Sequence, residues 1–299
     1  MIKNKIIVGY FADGPWAHRA FERLIQDETI TIAFICVRYD KRDSVLYELG
    51  KKYRIEVLAS PNINSRDFIH KIEKYQADLF VSMSFNQIFK KEMINLPRLK
   101  TINCHAGKLP FYRGRNILNW ALINDEKEFG ITVHYVDEGI DTGDIILQRV
   151  YPITDEDNYK SLLERAYTGC ADILYEAVKM VQSEEVHPIK QDTINKVGMY
   201  CGIRQAGDEV INWNSTSREI FNFVRALCEP GPMAMSMLNG EPIQINCARM
   251  VEGARTYINI PGQIIGKTEN GFYVKTGDSF IEVMDYRYSG RIRVGDRMK

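Results

Sequence analysis

Ile102-Asn103-Cys104-His105-Ala106-Gly107-Lys108-Leu109-Pro110-Phe111-Tyr112-Arg113-Gly114-Arg115 leaves an apolar strand and enters a loop punctuated by glycine and proline. Asn103 and His105 are two residues apart, so a continuing strand sends both side chains to one side. A second stretch, Val136-Asp137-Glu138-Gly139-Ile140-Asp141-Thr142-Gly143-Asp144, holds a carboxylate between two further strand-like runs. Upstream, short β-rich runs alternate with helical patterns. Strands are expected over 5–10, 30–37, 79–83 and 99–103, and helices over 15–26, 42–53 and 65–75, the last capped by Ser65. Such alternation predicts an α/β, doubly wound, mostly parallel sheet. Ligands of such sheets bind beyond the carboxyl ends of the strands, where Asn103 and His105 fall.

Downstream, the spacing predicts a helix over 116–124, an antiparallel strand pair over 130–135 and 144–151, and a long amphipathic helix over 158–182. The pattern then changes. Residues 184–204 are polar and contain Pro188, which reads as a linker between a domain at 1–183 and a second at 205–299. The second is expected to carry a helix over 217–227, with Ser215 or Thr216 near its cap. Short strands over 243–248, 262–267, 271–275 and 279–284 follow, in keeping with a small β-barrel.

A chain of 299 residues is long enough for two such domains. Its formal charge of zero argues against a general electrostatic grip on nucleic acid or an anionic membrane. Neither a signal-peptide pattern nor an apolar run approaching ~20 residues is visible. The six cysteines form no C-x-x-C pair, so neither a zinc site nor a disulfide framework is expected and a cytoplasmic setting fits. Gly9 and Gly14 do not make G-x-G-x-x-G, which argues against a dinucleotide. Asp141-Thr142-Gly143 occurs once, whereas an aspartic protease needs two such carboxylates.

The chemistry these residues suit is acyl transfer to an amine. Asn103 supplies an NH2 donor for a developing oxyanion. His105 moves protons near neutral pH, and Asp141 orients it and stabilises its charged form. Lys108, Arg113 and Arg115 add a basic cluster suited to an anionic handle on the substrate.

The strand ending in N-x-H, then Leu109-Pro110, an aromatic residue, Arg113-Gly114-Arg115, and later Gly139-Ile140-Asp141-Thr142-Gly143-Asp144-Ile145, resembles the signature of the 10-formyltetrahydrofolate-dependent formyltransferases. One departure is visible. The family's usual Ser-Leu-Leu-Pro reads Gly107-Lys108-Leu109-Pro110 here. The resemblance implies a Rossmann-like first domain and an OB-like second one, with 10-formyltetrahydrofolate as donor and no metal. It implies that Asn103 stabilises the tetrahedral oxyanion, His105 transfers protons and Asp141 tunes His105. It also implies folate contacts at Gln87, Ile88, Phe89, Leu109, Pro110, Arg115, Asp137, Glu138, Gly139, Ile140 and Asp144, and substrate contacts at Lys108, Tyr112, Arg113 and Arg204.

Two acceptors compete. Residues 200–299 hold 12 basic against 11 acidic side chains, poor equipment for the phosphates of tRNA. The junction Tyr200-Cys201-Gly202-Ile203-Arg204, followed by Asp208 and Trp213, is similar to that of sugar-nucleotide formyltransferases. The expected substrate is therefore a nucleoside-diphosphate 4-amino-4,6-dideoxy sugar used in surface glycan biosynthesis, with a lean toward the pseudaminic acid pathway. The expected enzyme is a homodimer with no nucleic-acid or membrane partner. The alternative is a methionyl-tRNA formyltransferase. A third reading, folate binding without turnover, is disfavoured by intact Asn103, His105 and Asp141.

Overall fold

The computed structural model describes residues 5–299. In chain order the elements are β1 (Ile6–Ala12), α1 (Gly14–Leu24), β2 (Ile30–Val37), α2 (Ser44–Tyr53), β3 (Glu56–Ala59), α3 (Arg66–Glu73), β4 (Leu79–Met83), α4 (Lys91–Ile94) and β5 (Thr101–His105). Then come β6 (Arg113–Gly114), α5 (Ile117–Ile123), β7 (Glu128–Tyr135), β8 (Ile145–Pro152), α6 (Tyr159–Ser183), α7 (Gln191–Ile194) and β9 (Tyr200–Cys201). The last are α8 (Ser217–Leu227), β10 (Ala234–Leu238), β11 (Glu241–Met250), β12 (Ile264–Lys267), β13 (Phe272–Lys275) and β14 (Phe280–Arg287).

Seven strands form one sheet in the order β3-β2-β1-β4-β5-β7-β8. The neighbours from β3 to β5 run parallel, and β7 turns antiparallel against β5. The expected mostly parallel, Rossmann-like sheet is present. Its central strands are apolar runs rather than alternating ones because successive residues on both faces are buried. One face packs Phe11 against Phe34, Phe80, Phe85 and Phe89, with ring centroids 5.0–5.6 Å apart. Burying Phe11, Phe34, Phe80 or Phe89 contributes on the order of 2–3 kcal/mol each, while Phe85 is partly buried. The Ser65 hydroxyl accepts from Phe68 N and so starts α3 as expected.

The described chain divides into two compact units: residues 5–114, 130–151 and 165–200 in one, and 115–129, 152–164 and 201–299 in the other. In the second unit, Thr216 and Glu219 make a reciprocal capping box at the head of α8, whose Ile220, Val224 and Leu227 enter the core. The five-stranded antiparallel sheet β10-β11-β14-β13-β12 supplies the rest of that core. Its two edges are joined by the chain end. Lys299 exchanges backbone hydrogen bonds with Met237 on β10, while Ile264 N on β12 donates to Asp296 O. The sheet thereby curls into a small barrel and hides its unpaired edge groups. Gly262 permits this closure, because a Cβ there would lie 2.3 Å from Met298 O.

Strands β3 and β10 lie outside the sequence expectation. The first is four residues long, and the second, Ala-Met-Ser-Met-Leu, has no β-branched or aromatic residue to mark it. Helix formation between β4 and β5 is confined to the four residues of α4.

Candidate active site

Four side chains meet on one face at the β5–β7 junction. The antiparallel register sets Asn103 opposite His134 and His105 opposite Thr132. Asp141 approaches from the loop between β7 and β8. Its Oδ2 lies 3.6 Å from His105 Nδ1, and its Oδ1 lies 3.5 Å from His134 Nε2. Asn103 Nδ2 is 3.2 Å from His134 Nε2 and 3.5 Å from Asp141 Oδ1. All of this lies in the first unit.

The proton positions follow from the partners. His105 Nε2 is 2.7 Å from the Tyr112 carbonyl, which can only accept, so Nε2 carries hydrogen and Nδ1 faces the carboxylate. His134 Nδ1 likewise donates to Tyr135 O at 2.7 Å, which leaves its Nε2 to receive Asn103. Burial raises the proton affinity of Asp141. The contacts to His105 and His134 and the hydrogen bond from the Gly114 N–H outweigh it, holding the carboxyl well below the usual carboxylate range. Gly114 N donates to Asp141 Oδ2 at 2.9 Å. Asp141 is therefore an anion set between two imidazoles.

The loop after His105 is shaped around the imidazole. A Cβ on Gly107 would sit 2.4 Å from both His105 Nε2 and Tyr112 O, so glycine is required there. That is the physical sense of Gly107 in the departure from Ser-Leu-Leu-Pro. Thr132 Oγ1 donates to Gly107 O at 2.7 Å, and Gln148 Nε2 donates to Leu109 O at 2.9 Å, fastening the turn. Leu109 is buried, and Pro110 O accepts from Met199 N. Arg113 donates from Nε and Nη2 to Gln191 Oε1. Lys108 is half-buried.

The remaining expected site residues are dispersed. Gln87 is committed to Ile63 N and Ser60 O, Phe89 is a core ring at 4% exposure, and Ile88 is 64% exposed. Asp137, Glu138, Gly139 and Ile140 form the exposed outer part of the Asp141 loop, where Asp137 Oδ1 accepts from Gly139 N and Thr142 Oγ1. Asp137, Glu138 and Asp144, with Ile94, Lys100 and Tyr135, line a cavity of about 330 Å³. Arg115 and Arg204 belong to the second unit, where Arg115 N donates to Cys201 O and Arg204 N to Asn116 Oδ1.

His134 was not singled out from the sequence. Its signal is periodicity: on a strand paired with the Asn103–His105 strand, residues 132 and 134 face the same side as 103 and 105. Gln191 was also missed, because a polar segment around Pro188 carries no periodic pattern.

Residues 4–178 match the family described as "Formyl transferase", and residues 204–295 match "Formyl transferase, C-terminal domain". The chain belongs to the formyl transferase family. This formyltransferase is 34% identical over 242 residues to "Methionyl-tRNA formyltransferase" of Syntrophus aciditrophicus, covering 81% of this chain and 76% of the relative. It is 35% identical over 237 residues to the protein of the same name from Fusobacterium nucleatum subsp. nucleatum, covering 79% and 75%. Among solved structures, WlaRD, "a sugar 3N-formyl transferase", superposes with a TM-score of 0.68 at 22% identity, over 95% of this chain and 98% of that one. At that identity it shows the fold alone.

These comparisons overturn the expected amino-sugar acceptor and its place in glycan biosynthesis. Relatives at 30–35% identity over about four-fifths of the chain carry the tRNA name, whereas the sugar enzyme is the more distant. The exclusion of nucleic acid is withdrawn with it. The argument failed because a net charge is a sum, and binding responds to the local field. In the second unit Arg218, Arg225, Arg249 and Arg287 are held in ion pairs. Arg291, Arg293, Arg297 and Lys299 are exposed within the last nine residues and enter no ion pair among the described residues. Among the described residues, no helix is long and apolar enough to cross a membrane.

Proposed function

We propose that this formyltransferase moves the formyl group of 10-formyltetrahydrofolate onto the α-amino group of methionyl-tRNA. The observation that carries the acceptor is the 34–35% identity, over about 80% of the chain, to relatives named for that reaction. The donor is supported by the family membership, which covers residues 4–178 and 204–295. The bound donor supplies an electrophilic formyl carbon.

Asn103 Nδ2 keeps its 3.2 Å contact to His134 Nε2 and exchanges its long 3.5 Å contact to Asp141 Oδ1 for the oxyanion that develops when the amine attacks. One such donor is worth about 3–4 kcal/mol of barrier in comparable sites. His105 Nδ1, with its hydrogen-bearing Nε2 engaged by Tyr112 O, takes the proton from the attacking amine and returns it to the departing donor nitrogen as the formyl C–N bond to tetrahydrofolate breaks. Asp141 then lies against the newly charged ring at 3.6 Å. The exposed cations Arg291, Arg293, Arg297 and Lys299 support phosphate contacts by the second unit.

The test offers the purified enzyme 10-formyltetrahydrofolate with methionyl-tRNA, and separately with a panel of nucleotide-linked 3-amino and 4-amino sugars. Formylmethionyl-tRNA should form, with a kcat/KM above that for every sugar and a steep loss of rate as salt rises. Formylation confined to a sugar would overturn the proposal.

A further inference from the structure

We infer that Gln191, in the segment outside the main sheet, is a positioning residue that holds Asp141 in its working geometry. Its side-chain amide is 3% exposed and uses its full hydrogen-bonding capacity. Nε2 donates to Asp141 O and to Gly143 O, each at 2.8 Å. Oε1 accepts from Arg113 Nε at 3.1 Å and Nη2 at 2.7 Å. One amide thus ties both carbonyls flanking Thr142 to the strand residue immediately before Gly114, whose N–H grips the Asp141 carboxylate.

Asp141 needs such a clamp. Its φ of +54° lies in the left-handed region, which costs an L-residue about 1–2 kcal/mol. Its contacts to His105 and His134, at 3.5–3.6 Å, are too long to fix its position by themselves. The outer part of the loop, residues 137–140, is exposed. Gln191 is itself anchored, since Ile189 exchanges two backbone hydrogen bonds with Ile145 at the start of β8. Loss of the clamp releases the loop on one side while the β5 residues stay in place. A shift of about 1 Å in such a group can cost 10²-fold in rate.

The inference rests on the assignment of Asp141 to the reacting centre. Gln191→Glu keeps the volume and the acceptor for Arg113 but removes both donors to the loop. Gln191→Ala removes everything. We expect Gln191→Glu to lower kcat by roughly 10- to 100-fold with KM for both substrates within about twofold. Adding Gln191→Glu to Asp141→Asn should cost nothing further, because the two act as one unit. A wild-type kcat in Gln191→Glu, or a full additional loss in the double variant, would overturn the inference while leaving the catalytic assignment intact. An Asp141→Asn enzyme of wild-type kcat would instead remove the catalytic assignment and the inference together. If Gln191→Ala fails to fold, Gln191→Glu carries the test alone, with thermal melting as the control for a merely structural loss.

Discussion

Asp141 in the first unit and Asp125 in the second are both carboxylates held well below the usual range, yet they are held in opposite ways. Asp125 accepts from the Arg218 guanidinium, with Lys127 Nζ at 3.0 Å and Arg225 Nη2 at 3.7 Å. Those partners keep their charge at any physiological pH. Asp141 is the more buried, at 13% against 36% side-chain exposure, and its side-chain partners are two imidazoles at 3.5–3.6 Å and one amide. The first arrangement is an ion cluster of guanidinium and ammonium groups; the second sets a buried carboxylate against two imidazoles. The difference lies in the partners, not in the carboxylate.

Five substitutions would break or sharpen that contrast. The largest effect is expected at His105. His105→Ala should lose at least ~10²-fold in kcat, about 2.7 kcal/mol, with little change in melting temperature. Gly107→Ala should approach the same loss, because the new methyl displaces the imidazole from Tyr112 O. Steady-state turnover at full speed in either enzyme would place the chemistry elsewhere.

Next comes Arg218→Ala, which breaks the Asp125 cluster. Denaturant unfolding should report a loss of about 1–2 kcal/mol, with kcat of the folded fraction unchanged. A large fall in kcat instead would erase the distinction between the two carboxylates.

Acid should affect both groups in the same direction. Each has a folded-state proton affinity below its unfolded one, so each contributes stability that is complete above about pH 4 and lost as pH falls below it. Comparing Asp141→Asn with wild type, the difference in melting temperature should shrink steadily from pH 5 to pH 3. A difference that widened on acidification would reverse the sign argued for Asp141. The smallest change is Thr216→Ala, which removes the α8 capping box. It should cost about 1 kcal/mol or less, read by chemical unfolding, and leave formyl transfer untouched.

Much of this was legible in the residues themselves. The β-α alternation and apolar runs marked the parallel sheet, because strands buried on both faces have no polar period. Ser65, and Ser215 or Thr216 as alternatives of which the structure uses Thr216, announced their helices through local capping chemistry, which depends on three or four neighbouring residues. Asn103, His105 and Asp141 stood out because their spacing and the glycines around them are also local. The acceptor was misread, since a charge total carries no information about where Arg291, Arg293, Arg297 and Lys299 lie. The sequence by itself determined most of the elements, though not β3 or β10, together with the N-x-H strand end and the Asp141 loop. Only the tertiary structure decided that His134 joins them, that Gln191 clamps them and that the chain end closes the barrel. Those contacts join residues 31, 50 and 62 positions apart, and pairings at such separations are chosen by packing and hydrogen-bond satisfaction across the whole fold rather than by any neighbouring residue.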